Sequence, residues 1–168
     1  MDETLVDITY SSDNLAYTSC TVSRASSGDI ATGTTTNSAS VDVPIVTTQS
    51  GVTLQLVEAK VTLVAYAYAG ASESNPTLAS SSSSASVSFK NSSDVVSFSD
   101  SVSAGSSQYS VSNPSKVAVC NCLSRPNLRG TTKITVYINT SASNKKYKSN
   151  PCTSNAYATN VIGSYLAV

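Results

Sequence analysis

The feature that most limits the fold of this chain is a recurrent alternation of apolar and polar residues with a period of two. The segment 133–139 shows it most cleanly, with Ile134, Val136 and Ile138 on one face and polar residues on the other. A strand sends successive side chains to opposite faces of a sheet, whereas an amphipathic helix needs apolar residues three and four positions apart. No window keeps the helical pattern for three turns. The chain is therefore predicted to be all-β.

The number and spacing of these segments predict the architecture. The chain has 168 residues, which is enough for one sizeable hydrophobic core and short for two. About eight to ten short strands separated by polar turns are typical of an antiparallel sandwich, either a jelly roll or an immunoglobulin-like fold. We therefore predict a single β-sandwich domain that covers residues 1–168.

The longest apolar segment, Val52–Ala69, changes phase part-way along. Apolar residues occupy even positions up to Leu56 and odd positions from Val57 onward. Because a slip of one residue sends every later side chain to the other face, a straight strand cannot bury both halves. We predict a bulge or bend near Leu56–Glu58, since sandwiches and barrels use such features where strands turn corners.

Turn residues set the boundaries elsewhere. Ser11–Asn14 separates two apolar segments and predicts a hairpin between 5–10 and 15–24. Small polar residues predict loops over 25–40 and over 70–86, where serine fills 80–84 without interruption. Pro44 cannot donate to a ladder, so residues 41–45 are predicted to form an edge strand.

Composition excludes more functions than it names. Only 12% of residues are charged, against about 25% in an ordinary domain, and 35 serines and 19 threonines supply polar surface instead. The chain has no histidine, which removes Ser-His-Asp and Cys-His catalysis and histidine-ligated zinc. No recognisable catalytic, phosphate-binding or EF-hand motif occurs. We predict that the protein is not an enzyme and has no catalytic residue, cofactor or metal site.

Charge is segregated along the chain, although it sums to zero. All ten acidic residues lie at or before Asp100, whereas seven of the ten basic residues follow it. The acidic surface of one copy could meet the basic surface of the next, or the basic half could contact nucleic acid. Alternatively, strands from the two halves interleave in the sandwich, so that the charges are mixed in space and are segregated only along the sequence. The candidate basic contact patch comprises Arg125, Arg129, Lys133, Lys145, Lys146 and Lys148.

Tyrosines form the second candidate group. The chain has nine tyrosines, two phenylalanines and no tryptophan. Tyrosine is favoured in interfaces and on sugar-binding surfaces, although strands also use it at the edge of a core. The candidate aromatic patch comprises Tyr66, Tyr68 and Tyr147, and Tyr137, Tyr157 and Tyr165 are further tyrosines that could line such a surface.

Four cysteines form the third group. Cys120 and Cys122 fall on one face of a predicted strand, a poor geometry for bridging each other, so a disulfide from either would run to Cys20 or Cys152. Buried free thiols are a second interpretation, and a metal site, which would need Cys20 and Cys152 to converge on this pair, is a third that the spacing does not favour. The candidate disulfide or thiol positions are therefore Cys20, Cys120, Cys122 and Cys152.

Both ends of the chain read as apolar strands. Chain ends fray unless something holds them, so these strands pair either within the fold or with a neighbouring copy. The candidate strand-exchange residues are Leu5, Val6 and Ile8 at the start and Val161, Ile162 and Leu166 at the finish.

Sparse charge and exposed strand edges favour an ordered assembly that covers them. We predict a structural subunit that self-assembles into a capsid, virion appendage or extracellular filament, with copies of itself and other structural proteins of the assembly as partners. The alternative is a monomeric carbohydrate-binding or adhesin module, and the third is a nucleic-acid-contacting coat protein. The first residues show no secretory signal, and no segment approaches the roughly 18 apolar residues of a membrane helix.

Overall fold

The computed structural model describes residues 5–10, 15–22, 30–69, 79–107, 110–121, 131–145 and 152–168. These ranges form two antiparallel sheets and contain no helix, which confirms the all-β sandwich. No helix within them is long and apolar enough to cross a membrane. The strands are β1 (Val6–Thr9), β2 (Ala16–Val22), β3 (Ile30–Asp42), β4 (Val46–Gln49), β5 (Val52–Ala69), β6 (Ala79–Asn91), β7 (Val96–Ser107), β8 (Ser110–Ser112), β9 (Ser115–Asn121), β10 (Thr131–Lys145) and β11 (Cys152–Ala167).

The larger sheet, sheet A, is built around β5 and β11, which pair antiparallel along most of their lengths. The other edge of β11 carries β2 and then β1, and the other edge of β5 carries β4, β9 and β8 in succession. The sheet is therefore four strands wide. The hairpin predicted between 5–10 and 15–24 is wrong, because β1 and β2 both run antiparallel to β11 and so follow one another in the same direction.

The smaller sheet, sheet B, has the strand order β3-β10-β6-β7. β3 is an edge strand that ends at Asp42, so only residues 41 and 42 of the predicted edge strand 41–45 are paired, and Val43, Pro44 and Ile45 lie in no strand. Two predicted loops are strands in their described parts, since β3 covers 30–40 and β6 covers 79–86, including the serine run. The remaining parts of these two loops, 25–29 and 70–78, lie outside the described residues. Local composition did not predict these strands, because each is stabilised by pairing with β10, which lies far away in the sequence.

The serine run forms a strand because its two faces meet different surroundings. Ser81 and Ser83 are buried, and their Oγ atoms donate to the carbonyl oxygens of Tyr68 and Tyr66 on β5, each at 2.8 Å. The alternate serines point outward. A serine side chain is short, so these bonds bring the two sheets close together at this end of the sandwich.

The core grades from large to small side chains along the sandwich. At one end, Phe89 and Phe98 meet edge to face with ring centroids 5.4 Å apart, close to the buried Leu63 and Ile134. At the other end, the buried apolar residues are small: Ala65, Ala67, Ala69, Ala104, Ala142, Cys20, Val22 and Cys152. Because small side chains fill less space, this end depends on close approach of the backbones.

The bulge predicted in β5 is confirmed. Ser164 pairs with Glu58 and Tyr165 pairs with Leu56, so Val57 is an extra residue in β5. Burial switches from even to odd positions across this point. The extra residue lets one strand bury both halves of its apolar pattern.

Both ends of the chain pair within its own sheet A. Residues 6–9 of β1 pair with 162–165 of β11, and β11 lies between β5 and the two N-terminal strands. Pairing within the fold is therefore the alternative that this chain uses. Exchange of the terminal strands between copies stays a prediction. Val161, Ile162 and Leu166 lie on β11, an interior strand that could leave only by opening the core. Val6 and Ile8 pack against that core from β1, and Leu5 is exposed just before it.

Candidate functional site

The sandwich has two broad outer faces of different chemistry. The outer face of sheet A carries tyrosines and valines among hydroxyl and amide side chains such as those of Ser19, Thr62 and Asn155, and the outer face of sheet B carries mostly hydroxyl groups. Strand alternation produces both faces, since each outward residue neighbours an inward core residue. These faces are the candidate functional surfaces.

The outer face of sheet A is called the tyrosine face here. Tyr17 on β2 lies opposite Tyr157 on β11, which lies opposite Val64 on β5. The ring centroids of Tyr17 and Tyr157 are 6.4 Å apart, within the usual range for interacting aromatic pairs. The tyrosine face comprises Tyr17, Tyr66, Tyr68, Tyr157, Val64, Val111, Val117 and Val119.

Several apolar side chains of the tyrosine face are exposed. The exposed fractions are 50% for Tyr17, 61% for Val111 and 52% for Val117. Lone exposed apolar residues are ordinary, but a set that extends across neighbouring strands indicates an interaction surface. At one end of the face, Lys60 Nζ lies 3.2 Å from Glu58 Oε1, and the opposite charges of this ion pair cancel.

The outer face of sheet B is called the hydroxyl face here. Tyr137 lies near its centre on β10, between Ser38 of β3 and Ser86 of β6. A groove of about 460 Å³ runs beside Tyr137, and Lys90 Nζ is 5.9 Å from the centroid of its ring. The hydroxyl face comprises Thr34, Thr36, Ser38, Ser40, Ser82, Ser84, Ser86, Ser88, Ser99, Ser101, Ser103, Thr135, Tyr137, Asn139 and Ser141.

The fold intermixes the charges that the sequence segregates. Lys133 lies opposite Asp42 in sheet B. Lys116 Nζ lies 2.6 Å from Asp100 Oδ1 and joins the edges of the two sheets, and this hydrogen bond lowers the pKa of Asp100 below its usual value. Among the described residues, the interleaving of the two halves is therefore the interpretation that the strand order supports.

The predicted basic patch is only partly within the described residues. Lys133 and Lys145 lie near the two ends of β10, twelve residues apart, a separation of roughly 40 Å. Arg125, Arg129, Lys146 and Lys148 lie outside the described ranges. The patch stays a prediction, and Lys133 and Lys145 do not lie side by side.

The predicted aromatic residues fall on both faces. Tyr66 and Tyr68 are half-buried on the tyrosine face, and Tyr147 lies outside the described residues. Tyr165 faces inward instead, fully buried, and its hydroxyl donates to the carbonyl oxygen of Pro44 at 2.7 Å. Tyr17 was missed, although its alternation with Ala16, Thr18 and Cys20 places it on the outward side of its strand.

The described cysteines are buried at two separate places. Cys20 and Cys152 belong to one small-residue cluster, whereas Cys120 lies opposite Ala59 in the main core. Cys152 lies opposite Ala69, ten residues from Ala59 on β5, which is about 33 Å. A disulfide needs Cα atoms about 4.4–6.8 Å apart, so the expected bridge from Cys120 to Cys20 or Cys152 cannot form within one chain. Cys122 lies outside the described residues.

Comparisons with known proteins give distant structural likenesses. No family model matches the sequence, and no curated protein is similar enough to match. Infectious bursal disease virus, Gx strain, matches at 9% identity with TM-score 0.38, covering 100% of this chain and 42% of the viral chain. The enzymatically active domain of tailspike protein 4 from bacteriophage CBA120 matches at 13% identity with TM-score 0.34, covering 94% and 19%. The carbohydrate-binding module TmCBM61, solved with β-1,4-galactotriose, matches at 8% identity with TM-score 0.33, covering 93% and 88%.

The chain spans less than half the length of the two viral proteins. At these identities and TM-scores, the likenesses carry no argument about activity or partners.

Proposed function

We propose that this protein is a non-enzymatic structural subunit that assembles with copies of itself through the tyrosine face. The observation that carries the proposal is the exposed apolar surface formed by Tyr17, Val111 and Val117 with their neighbours. Monomeric proteins rarely expose contiguous apolar patches beyond a few hundred Å². Tyrosine is also enriched in interface cores, because its large ring can be buried while its hydroxyl stays hydrogen-bonded.

A second copy is the partner that the charge distribution favours. The described charges near the face, Asp7, Glu58 and Lys60, lie toward one end of it, and Glu58 and Lys60 pair with each other. Two copies related by a two-fold axis can therefore bring their uncharged regions together with little like-charge repulsion. Among the described residues, a partner of one strong charge would find no complementary surface there.

The dimensions of the tyrosine face suit a stable contact. From Lys60 to Tyr68, β5 advances eight residues, about 26 Å, and four strands span about 19 Å. The projected area is therefore about 500 Å², the same order of size as the roughly 800 Å² per partner of a stable interface.

A capsid, virion appendage or filament needs a second contact besides a two-fold one. The long edge strands β3 and β7 each pair on one side only among the described strands. Such edges carry main-chain donors and acceptors that neighbouring copies can use. Lateral contacts of this kind would extend dimers into a virion or extracellular assembly.

Size-exclusion chromatography with light scattering tests the proposal. Tyr17→Asp and Val117→Asp place a charge on the tyrosine face, whereas Thr36→Asp and Ser101→Asp place the same charge on the hydroxyl face. We expect wild type and the hydroxyl-face variants to form oligomers at tens of micromolar, and the tyrosine-face variants to be monomeric with unchanged circular dichroism. Salt near 1 M, where the Debye length is about 3 Å, should leave the oligomers intact because the contact is apolar.

Two results would overturn the proposal. One is a wild-type protein that stays monomeric at several hundred micromolar at both low and high salt. The other is equal dissociation by aspartates on either face, which would place the contact elsewhere.

A further inference from the structure

Three shallow grooves form one path across the hydroxyl face. The middle groove, about 460 Å³, and a second of about 570 Å³ share Ser84 and Asn139. The middle groove and a third of about 360 Å³ share Ser38 and Tyr137. The path follows β10 for eight residues, from Lys133 to Ser141, about 26 Å. A path of this length suits an extended ligand.

Tyr137 stands at the middle of this path with 51% of its surface exposed. Lys90 lines the third groove only, and its ammonium group approaches the Tyr137 ring from there. The Tyr137 side chain also lines the middle groove. An aromatic ring among a few fixed polar groups is a common arrangement in binding sites for small molecules.

Thr135 gives an independent sign that the path accommodates a polar ligand. Its side chain lines the third groove beside Tyr137, and the residue is 7% exposed, yet among the described residues its Oγ1 atom has no hydrogen-bond partner. A buried hydroxyl without a partner costs about 1–3 kcal/mol, and such groups are rare in native structures. A ligand hydroxyl that reaches this atom after a local side-chain shift would supply the missing partner.

We propose that the path binds an extended neutral oligosaccharide, with one sugar ring stacked on Tyr137. The residues that line the middle groove are uncharged, and their hydroxyl and amide groups match the donors and acceptors of a sugar. At the third groove, Lys90 and Lys133 are accompanied by Asp94 within it and by Asp42 opposite Lys133. A polyanionic ligand would therefore meet both repulsion and attraction.

This inference stands apart from assembly, because the path and the tyrosine face lie on opposite sides of the sandwich. Copies joined through the tyrosine face would keep their hydroxyl faces outward. An assembly would then present many equivalent grooves and hold a polymeric glycan more tightly than one copy could.

Isothermal titration calorimetry of the purified full chain tests the proposal. The probes are cellohexaose, xylohexaose and mannohexaose, with hexagalacturonate as the acidic comparator. We expect at least one neutral hexasaccharide to bind, Tyr137→Ala to weaken that binding about tenfold, and Tyr137→Phe to stay within about threefold. Val46→Ala is the control, since it shortens a side chain that is 57% exposed on β4, outside both the path and the tyrosine face.

The proposal is overturned if no neutral probe binds at millimolar concentration, if only hexagalacturonate binds, or if Tyr137→Ala binds as wild type does. Light scattering on the same samples reports the oligomeric state, so a failure of glycan binding is distinguished from a failure of assembly.

Discussion

Replacing Ser83 with alanine tests whether hydroxyl groups inside the sandwich hold its two sheets together. Ser83 is 3% exposed, and its Oγ donates to the carbonyl oxygen of Tyr66 at 2.8 Å. Alanine removes this hydrogen bond and leaves the buried carbonyl oxygen of Tyr66 with one donor fewer, which should lower the free energy of unfolding by about 1–3 kcal/mol. For a domain of this size, that lowers the melting temperature by about 2–12 °C. Ser83→Val should cost more, because it forces extra methyl groups between closely spaced sheets.

Ser84→Ala is the matched control. It makes the same change one residue later, on the outward side of β6, where substitutions usually stay within about 0.5 kcal/mol. Urea and thermal unfolding followed by circular dichroism should rank the free energies of unfolding as Ser84→Ala, then Ser83→Ala, then Ser83→Val, from most to least stable. Equal stability of the two alanine variants would refute the idea that this hydroxyl joins the sheets.

Further predictions concern the residues around Gly163. A Cβ added at Gly163 would lie 2.9 Å from ring carbons of Tyr10 and Tyr165, so Gly163→Ala should lose about 1–3 kcal/mol in urea unfolding. Gly105→Ala, with no atom within 4 Å of its added Cβ, should keep wild-type stability. Tyr165→Phe should lose about 0.5–1.5 kcal/mol with its bond to Pro44, whereas Tyr10→Phe should lose nothing at pH 7, because the Tyr10 hydroxyl has no described partner. Burial raises the pKa of Tyr10 to about 12, so the unfolded state loses the hydroxyl proton at lower pH than the folded state does. The wild-type protein should therefore lose stability between pH 10 and 12, whereas Tyr10→Phe should not. Parallel profiles of unfolding free energy against pH for the two proteins would contradict this.

The sequence predicts structure well where a strand carries its own pattern. The phase change at Leu56–Val57 is enough to locate the bulge, because burying both halves of β5 requires one extra residue whatever lies beside it. The serine run at 80–84 carries no apolar pattern. Its strand depends on carbonyl groups of β5 and on pairing with β7 and β10, which local sequence does not reveal.

The candidate surfaces were also predictable only where a single strand carries its own alternating pattern. Tyr137 falls on the polar side of the cleanest alternating strand, so its outward direction follows from the sequence. That Tyr17 neighbours Tyr157 does not follow, because β2 was expected to pair with β1 and instead pairs with β11. Strand order is decided by long-range contacts, so surfaces built from several strands become visible only in the folded chain.

Strand order also decides how charge contributes to assembly. Antiparallel pairing brings Lys133 of the basic half beside Asp42 of the acidic half, and Lys116 beside Asp100. Within the described residues, neither sheet therefore inherits the net charge of one half of the chain, and head-to-tail attraction between unlike surfaces loses its basis there. The apolar tyrosine face remains the stronger source of attraction between copies, since its burial gains roughly 25 cal/mol per Å² and ionic strength does not screen it.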